Sequence, residues 1–175
     1  DIIANPASAA FGRPRRKAIF RLMHLFSWIF KERARAKKCR ILLKGESYNE
    51  PYVYDSFDFI PLTILDNAIK YSLERQDICI HVEDREQGVY VAIESFGPIV
   101  PPSETCKIFD RGYRGTNSLK LHKSGSGIGL WIAKKVAEVH GFIIRYKAEP
   151  KTFINGTRVG LNRFFFTVYS VDYEK

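Results

Sequence analysis

The sequence contains few cysteines. Only three occur among its 175 residues, Cys39, Cys79 and Cys106. Their odd number and wide spacing exclude both a disulfide framework and a zinc site of ordinary ligand spacing. The scarcity of cysteine therefore favours a reduced, cytosolic compartment.

Long apolar runs are also absent. The longest, Leu22–Phe30, is interrupted by His24 and Ser27 and is too short to span a bilayer. The chain has no signal-peptide pattern and begins at Asp1 without a methionine. We therefore expect it to be a piece of a longer protein.

Low-complexity and repeated segments are missing as well. With 45% hydrophobic and 27% charged residues, the composition is that of a globular protein. It excludes a disordered or collagenous chain. The length allows one domain, or one domain with a helical appendage.

Acidic residues are scarce only at the start of the chain. Residues 1–44 hold 12 Lys/Arg against two acids, whereas the remaining residues hold 16 Lys/Arg against 17 acids. The formal net charge of +9 therefore belongs to the N-terminal segment. It says little about the partners of the rest of the chain.

The N-terminal segment predicts a helix. Residues 1–12 form an irregular leader, and residues 15–38 contain neither proline nor glycine. Arg21, His24 and Ser27 make one narrow polar stripe on an otherwise apolar cylinder. Burial in a helical bundle or dimer is one interpretation, and binding to a membrane surface through the apolar side and the following basic residues is the other. Nucleic-acid binding is disfavoured, because the aromatics do not alternate with the basic residues.

The later chain predicts an α/β fold. Apolar spacing indicates helices over residues 59–73 and 128–140 and two paired strands, one containing Ile78, Ile80 and Val82 and the other Val89, Val91 and Ile93. Further strands are expected at residues 39–44, 142–148 and 163–170, with a long loop at 94–127. The simplest arrangement of these helices and strands is a two-layer sandwich, with helices on one face of a mixed sheet.

A glycine-rich run leads into the second of these helices. Gly125–Leu130 (GSGIGL) allows close backbone approach, and a helix N-terminus offers unpaired N–H groups, so the combination suits phosphate. Lys120, His122 and Lys123 just upstream add to this. The alternative is a solvated loop, since neither the dinucleotide fingerprint nor the P-loop pattern applies.

One face of the 59–73 helix carries polar residues at helical spacing. Thr63, Asn67, Lys70 and Glu74 follow one another at intervals of three or four residues. An amide oxygen can ligate Mg²⁺, and an ammonium group can contact phosphate oxygens. An ordinary solvated face is the alternative.

The order and wording of four motifs resemble a known family. Leu65–Ser72 (LDNAIKYS) resembles the N box of the histidine-kinase-like ATPase superfamily, and Ser95–Pro101 (SFGPIVP) resembles its first glycine box. Ile108–Gly115 is similar to the F box, and Gly125–Leu130 to the second glycine box. The likeness covers about residues 39–170 and is greatest to the catalytic ATP-binding domain of bacterial sensor histidine kinases.

The resemblance implies a Bergerat-type ATP-binding fold with ATP and Mg²⁺ as ligands. Asn67 would coordinate the Mg²⁺, Lys70 and Tyr71 would contact phosphate or ribose, and Arg114 and Lys123 would reach the triphosphate from a mobile lid at about residues 104–127. Glycines of the second box would cradle the phosphates. The implied nucleotide-binding set is Asn67, Lys70, Tyr71, Ser95, Gly97, Phe109, Tyr113, Arg114, Lys123, Gly125, Ser126, Gly127, Ile128, Gly129 and Leu130.

The sequence departs from the family's pattern in the first glycine box. The family has an aspartate there that accepts a hydrogen bond from the adenine amino group, whereas this chain has Ser95, and Ile99 replaces the second glycine. A neutral acceptor is weaker than a charged one, so we expect weakened adenine affinity. Glu94 is expected to point to the opposite face of the strand.

A second departure concerns the reaction. Hydrolytic family members have a glutamate as general base four residues before the N-box asparagine, where this chain has Thr63, and a hydroxyl is no base near neutral pH. The resemblance instead implies phosphoryl transfer to a histidine on an upstream dimerisation domain, with no catalytic residue in this chain. We expect residues 1–38 to end a dimerisation helix and residues 39–175 to form the ATP-binding domain.

The resemblance also implies partners. They are a response regulator and a second copy bound through the N-terminal helix, with no nucleic acid. We expect this chain to be a cytoplasmic domain of a longer protein. Anchoring of that longer protein in a membrane is compatible with this expectation. Two alternatives remain open: a nucleotide-sensing module without kinase activity, and a partner-docking domain on the same fold.

Overall fold

A five-stranded sheet forms one layer of the structure. The computed structural model describes residues 2–121 and 125–171. Short 3-10 helices lie at Pro6–Ala10, Asp55–Asp58 and Pro102–Glu104. The strands and helices in chain order are β1 (Arg15–Arg16), α1 (Ile19–Ile29), α2 (Lys31–Ala36), β2 (Ile41–Glu46), β3 (Tyr52–Val53), α3 (Phe59–Tyr71), β4 (Ile78–Arg85), β5 (Gly88–Pro98), α4 (Thr116–Leu121), α5 (Gly129–Val139), β6 (Arg145–Ile154) and β7 (Thr157–Tyr169).

The sheet is mixed. Its strand order is β2-β4-β5-β7-β6, in which β2 runs parallel to β4 and the other pairs are antiparallel. Ile78, Ile80 and Val82 are buried in the core with residues of α3 and α5, whereas His81 and Glu83 lie on the opposite face. The predicted two-layer α/β sandwich is confirmed.

Helix α3 carries its buried residues on one side. Pairs of buried residues recur at 60–61, 64–65 and 68–69, which is the spacing of a helix with a core-facing stripe. The helix ends at Tyr71, and the next residue, Ser72, has an extended backbone. There the ammonium group of Lys37 donates to the carbonyl oxygens of Ile69 (3.0 Å), Lys70 (3.0 Å) and Ser72 (2.6 Å). These are carbonyls that a helix end otherwise leaves unpaired.

The N-terminal helix is shorter than the prediction. It does not begin at Arg15, because Arg15 and Arg16 pair with β3 in a two-stranded ribbon. Helix α1 begins at Ile19, and α2 continues the chain after Phe30. Ile19, Met23 and Phe26 are buried in the same core as the sheet.

Part of α1 remains uncovered. Leu25, Trp28 and Ile29 are exposed, Trp28 to 69%. Only this side of the helix, and not the whole apolar cylinder, is available to a second copy. The dimerisation role and the division between residues 1–38 and 39–175 stay predictions.

Strands β5, β6 and β7 are longer than expected. Strand β5 continues through residues 94–98, which were predicted as loop, because β7 pairs with it along its whole length. The β6–β7 hairpin turns at Asn155 and Gly156, both with positive φ (48° and 72°). An Asn-Gly turn of this kind matches the twist of the flanking strands, and it extends both strands toward residue 155.

Within residues 2–121 and 125–171, no helix has both the length and the apolar character needed to cross a bilayer.

His140 links the end of α5 to the chain before α3. Its side chain is 2% exposed, its Nδ1 lies 2.7 Å from the carbonyl oxygen of Val136, and its Nε2 accepts from the backbone N–H of Tyr54 at 3.0 Å. Both bonds fit a neutral ring protonated on Nδ1. Burial lowers the pKa of His140, and the charge of Lys17 acts in the same direction.

We expect this histidine to make folding pH-dependent. Because its pKa is lower in the folded state, the unfolded chain binds the extra proton, and the free energy of unfolding falls as pH drops below about 6.5, at up to about 1.4 kcal/mol per pH unit. Urea unfolding from pH 7.5 to 5 measures the slope. His140→Gln should flatten it, and the exposed His24→Gln should leave it unchanged. An equal slope in all three proteins would contradict the assignment.

The Lys37 contacts predict a large effect of one substitution. Lys37→Met removes three hydrogen bonds, although the carbonyl oxygen of Ile69 keeps another donor, the Ser72 hydroxyl. We therefore expect the free energy of unfolding to fall by about 2 kcal/mol. Lys38→Met is the matched control, because Lys38 is an exposed neighbour. Chemical denaturation of both variants measures the difference, and equal stabilities would show that Lys37 does not support the end of α3.

Candidate functional site

A cavity of about 570 Å³ opens between α3, the end of β5 and the start of α5. Strands β6 and β7 and the segment that follows β5 complete its walls. Its size lies within the range of small-molecule sites. Eleven residues of the predicted nucleotide-binding set line it: Asn67, Lys70, Tyr71, Ser95, Tyr113, Arg114, Gly125, Ser126, Gly127, Gly129 and Leu130.

Helix α3 supplies one wall. Thr63, Asn67 and Lys70 all line the cavity, as the helical spacing predicts. Glu74, which the same pattern included, lies beyond the helix end and outside the lining. The polar face therefore ends at Tyr71.

The glycine-rich run borders the α3 wall. Gly125 and Gly127 have φ of 142° and 68°, and Gly129 begins α5. A side chain at Gly127 would collide with the backbone of Gly112 and Tyr113. The residue before α5, Ile128, makes no side-chain capping bond. The first N–H groups of α5 therefore start at the cavity wall without a side-chain cap.

Two cationic side chains converge on this run. A Cβ atom added at Gly125 would lie 3.3 Å from Lys70 Nζ and 3.8 Å from Arg114 Nε. Lys70 Nζ also lies 5.3 Å from the centre of the Tyr71 ring, a cation–π distance. Together with the N-terminus of α5, these cations make this end of the cavity suited to an anion.

A second part of the cavity wall is polar, with Asn162 buried and Tyr146 half-buried. Tyr146 donates its hydroxyl proton to Asn162 Oδ1 (2.5 Å) and accepts from the backbone N–H of Val100 (3.0 Å). Burial raises the pKa of Tyr146 to about 12, so its hydroxyl stays protonated at neutral pH. Asn162 pairs with Ser95 in the β5–β7 ladder, and both line the cavity.

Glu94 does not belong to this site. Its carboxylate accepts from Arg163 Nε at 2.5 Å and lies 3.2 Å from His81 Nε2, on the face of the sheet away from the helices. The prediction that Glu94 points away from Ser95 is confirmed. Ser95 is therefore the polar side chain of the first glycine box that lines the cavity.

Three predicted residues lie outside the lining. Gly97 packs against α3, where any side chain would collide with the carbonyl oxygen of Tyr71. Phe109 makes an edge-to-face contact with Phe164, the ring centres being 6.2 Å apart, and Ile128 packs against the core. Their part is thus to shape the walls. Lys123, like His122, lies outside the described residues.

The described part of the segment predicted as a lid, residues 104–121 and 125–127, contacts the site. The backbone N–H and hydroxyl of Thr116 both donate to the Glu104 carboxylate, and Asn117 Nδ2 donates to the carbonyl oxygen of Ile99 at 2.8 Å. The Gly112 N–H donates to the carbonyl oxygen of Gly127 at 3.1 Å. The segment is thereby joined to the glycine run, and its mobility stays a prediction.

Sequence reasoning missed Asn162 and Tyr146. The last strand was predicted to begin at Arg163, one residue too late to include Asn162, and Tyr146 was read only as part of a strand. The signal that could have placed them is alternation: residues 162, 164, 166 and 168 share one face of β7, and Phe166 and Val168 are clearly core residues.

The sequence of the chain matches one protein family. The model of the histidine kinase-, DNA gyrase B- and HSP90-like ATPases matches residues 59–167. The histidine-protein kinase ArlS of Staphylococcus epidermidis is 31% identical over 97 residues, which are 55% of this chain and 21% of ArlS. ArlS of Staphylococcus aureus is 32% identical over 93 residues, 53% of this chain and 21% of that protein. The matched part is thus about a fifth of these relatives.

Solved structures have the same fold. The catalytic domain of the histidine kinase ThkA has a TM-score of 0.73 at 19% identity, covering 90% of this chain and 97% of that domain. Full-length ShkA in complex with AMPPNP has a TM-score of 0.74 at 19% identity, covering 98% of this chain and 34% of ShkA. Since the family match takes in more than half of its residues, this chain belongs to the histidine kinase-, DNA gyrase B- and HSP90-like ATPase family.

Proposed function

We propose that this chain is the ATP-binding catalytic domain of a sensor histidine kinase. The observation that supports this most directly is the convergence of Lys70, Arg114 and the N-terminus of α5 at one part of a cavity whose lining also includes the buried residues Ser95 and Ile99. A nucleotide has the matching division between an anionic tail and a planar base. The related structure of ShkA was determined with the nucleotide analogue AMPPNP.

Asn67 is the proposed ligand of Mg²⁺. Its amide lies on the cavity wall one helical turn before Lys70, and amide oxygens are acceptable ligands for hard cations. No cluster of three or more His, Cys, Asp and Glu side chains that could hold a metal occurs in residues 2–121 and 125–171. This fits Mg²⁺, which is commonly held by few protein groups together with substrate phosphates and water.

Phosphoryl transfer is favoured over hydrolysis. Thr63 lies beside the start of α5, its methyl group 3.1 Å from a Cβ added at Gly129, and it cannot act as a base on water near neutral pH. The carboxylate that follows on this helix, Asp66, is engaged by Arg33. The chain's own groups therefore position and neutralise the triphosphate, which is most of what phosphoryl transfer requires.

The phosphoryl acceptor is proposed to lie on a separate domain. His140 is buried and hydrogen bonded on both ring nitrogens, and His81 pairs with Glu94 on the far face of the sheet. His24 lies exposed on α1, away from the cavity lining. An upstream dimerisation domain of a longer protein would supply the acceptor, with α1 contributing its exposed side to the dimer.

A response regulator is the proposed recipient of the phosphoryl group. ThkA was solved in complex with the response regulator TrrA, and the fold of this chain is similar to that of ThkA. Signalling of this kind places the domain in the cytoplasm, in a protein whose remaining segments provide any membrane anchor.

The proposed function is tested in the full-length protein that the proposal implies, which joins this chain to an upstream dimerisation domain. Incubated with γ-labelled ATP and Mg²⁺, it should acquire label that is lost in acid and retained in base, as a phosphorylated histidine requires. Label that withstands acid, or release of free phosphate without labelled protein, would contradict the proposal.

Substitution of Asn67 provides a sharper prediction. Asn67→Ala should weaken ATP binding in the presence of Mg²⁺ by about tenfold or more, equivalent to about 1.4 kcal/mol. The fold should stay intact, because the side chain faces the cavity and not the core. Titration calorimetry with and without Mg²⁺ measures the loss, and circular dichroism checks the fold.

Asn5→Ala is the control for this experiment. Asn5 caps the 3-10 helix at Pro6–Ala10 and is absent from the cavity lining, so ATP affinity should not change. Unfolding of the Asn67 variant, or Mg²⁺-dependent binding equal to that of the unaltered chain, would remove Asn67 from the metal site.

A further inference from the structure

We propose that this site accepts guanine as well as adenine nucleoside triphosphates, because a neutral hydroxyl, that of Ser95, is the group that meets the base. The proposal rests on the proposed function, since it names the substrate class of the same cavity. It concerns the part of the cavity that Ser95, Ile99 and Phe164 line.

The charges of the cavity orient a nucleotide. The triphosphate belongs where Lys70 and Arg114 meet Gly125, since cations and helix N-termini attract phosphate. The base then lies toward the part of the cavity where Ile99 (3% exposed) and Phe164 provide apolar surface beside Ser95. A planar heteroaromatic ring fits a wall that is mainly apolar with few polar atoms.

Ser95 is the polar side chain that strand β5 contributes to this wall. It is 7% exposed and lines the cavity. Its hydroxyl makes no hydrogen bond to any residue in the described ranges, and it is open to the cavity, since the buried side-chain oxygen without a partner in those ranges is that of Ser8. A ligand in the cavity can therefore bond to the Ser95 hydroxyl in place of water.

The neighbouring polar groups are already engaged. The two N–H groups of Asn162 donate to the carbonyl oxygens of Gly97 (3.4 Å) and Pro98 (3.3 Å). Its Oδ1 accepts from Tyr146, and the Tyr146 oxygen accepts from Val100. This network fixes the side chains of Asn162 and Tyr146. In the proposed complex the Ser95 hydroxyl is the group that forms a hydrogen bond with the base.

No charged acceptor competes with it. Among the described lining residues, the carboxylates are those of Asp66 and Glu104. Asp66 is paired with Arg33, and Glu104 binds the N–H and hydroxyl of Thr116. Glu94, next to Ser95 in sequence, lies on the other face of the sheet. The base therefore meets no carboxylate at this wall.

A hydroxyl suits either purine. Adenine presents an amino donor at its six-position, whereas guanine presents a carbonyl acceptor there. A serine hydroxyl rotates and can either accept or donate, whereas an ionised carboxylate only accepts. The geometry therefore favours binding of both purines with similar affinity. A site with a carboxylate at this position would instead favour adenine, because a carboxylate only accepts hydrogen bonds.

The experiment measures ATP and GTP binding to the full chain by titration calorimetry with Mg²⁺. We expect dissociation constants within about fivefold of each other. Ser95→Ala should weaken both nucleotides by a similar factor of about two to five, the value of one neutral hydrogen bond. Loss for ATP alone would overturn the proposal, because Ser95 would then read adenine only.

Ser95→Asp adds the charged acceptor and should make the site selective. ATP should bind about fivefold more tightly and GTP about fivefold more weakly, because the carboxylate faces the guanine carbonyl. Gln87→Asp is the control, since it adds the same charge in the exposed β4–β5 turn and should leave both affinities unchanged. If Ser95→Asp does not fold, the Ser95→Ala comparison decides.

The failures of the two proposals are distinguishable. ATP binding with GTP binding more than twentyfold weaker in the unaltered chain would overturn the dual-purine proposal and leave the proposed function standing. Absence of binding for both nucleotides would overturn both.

Discussion

The close approach of strand β5 to the end of helix α3 is the constraint on which the site depends. At Gly97 the strand passes so near the carbonyl oxygen of Tyr71 that no side chain fits between them. The Leu73 N–H donates to the carbonyl oxygen of Phe96 at 2.9 Å, which fixes the two elements in register. Ser95 and Lys70 consequently line one cavity although they come from different layers. Lys37 completes the junction by bonding the last carbonyls of α3.

The basic N-terminal segment packs on the rest of the chain, and five of its 12 Lys/Arg side chains pair with acids of the later chain. Lys17 pairs with Asp58 at 2.5 Å and Arg40 with Asp77 at 2.6 Å, while Arg33 pairs with Asp66. Each exposed pair stabilises the fold by little. Together they join a segment rich in cations to acids of the later chain. The uneven charge of the sequence therefore reflects docking within the molecule, as well as any external partner.

Much of the fold was predictable because the apolar spacing is regular in the central elements. Helix α3, strands β4 and β5 and helix α5 were expected within a few residues, and the four motifs located the walls of the cavity. The errors arise where tertiary pairing decides the structure. Arginine has a high helix propensity, yet Arg15 and Arg16 pair with β3. Asn162 was missed because β7 begins well before its apolar core, at the Asn155-Gly156 turn, a hairpin signal that the prediction did not use. The hydrogen bonds that engage Asn162 and Tyr146 depend on three separate strands or loops and could not be deduced from local sequence.

The burial of α1 in the common core has a practical consequence for how the domain can be cut. The family match begins at residue 59, but a fragment starting there would lose β2, which covers the edge of β4, and Lys37, which closes α3. Ile19, Met23 and Phe26 would also leave the core, exposing the apolar side of the sheet to water. An open strand edge beside an uncovered apolar surface is a template for aggregation. We therefore expect a stably folded fragment to begin before α1, some 40 residues ahead of the matched motifs.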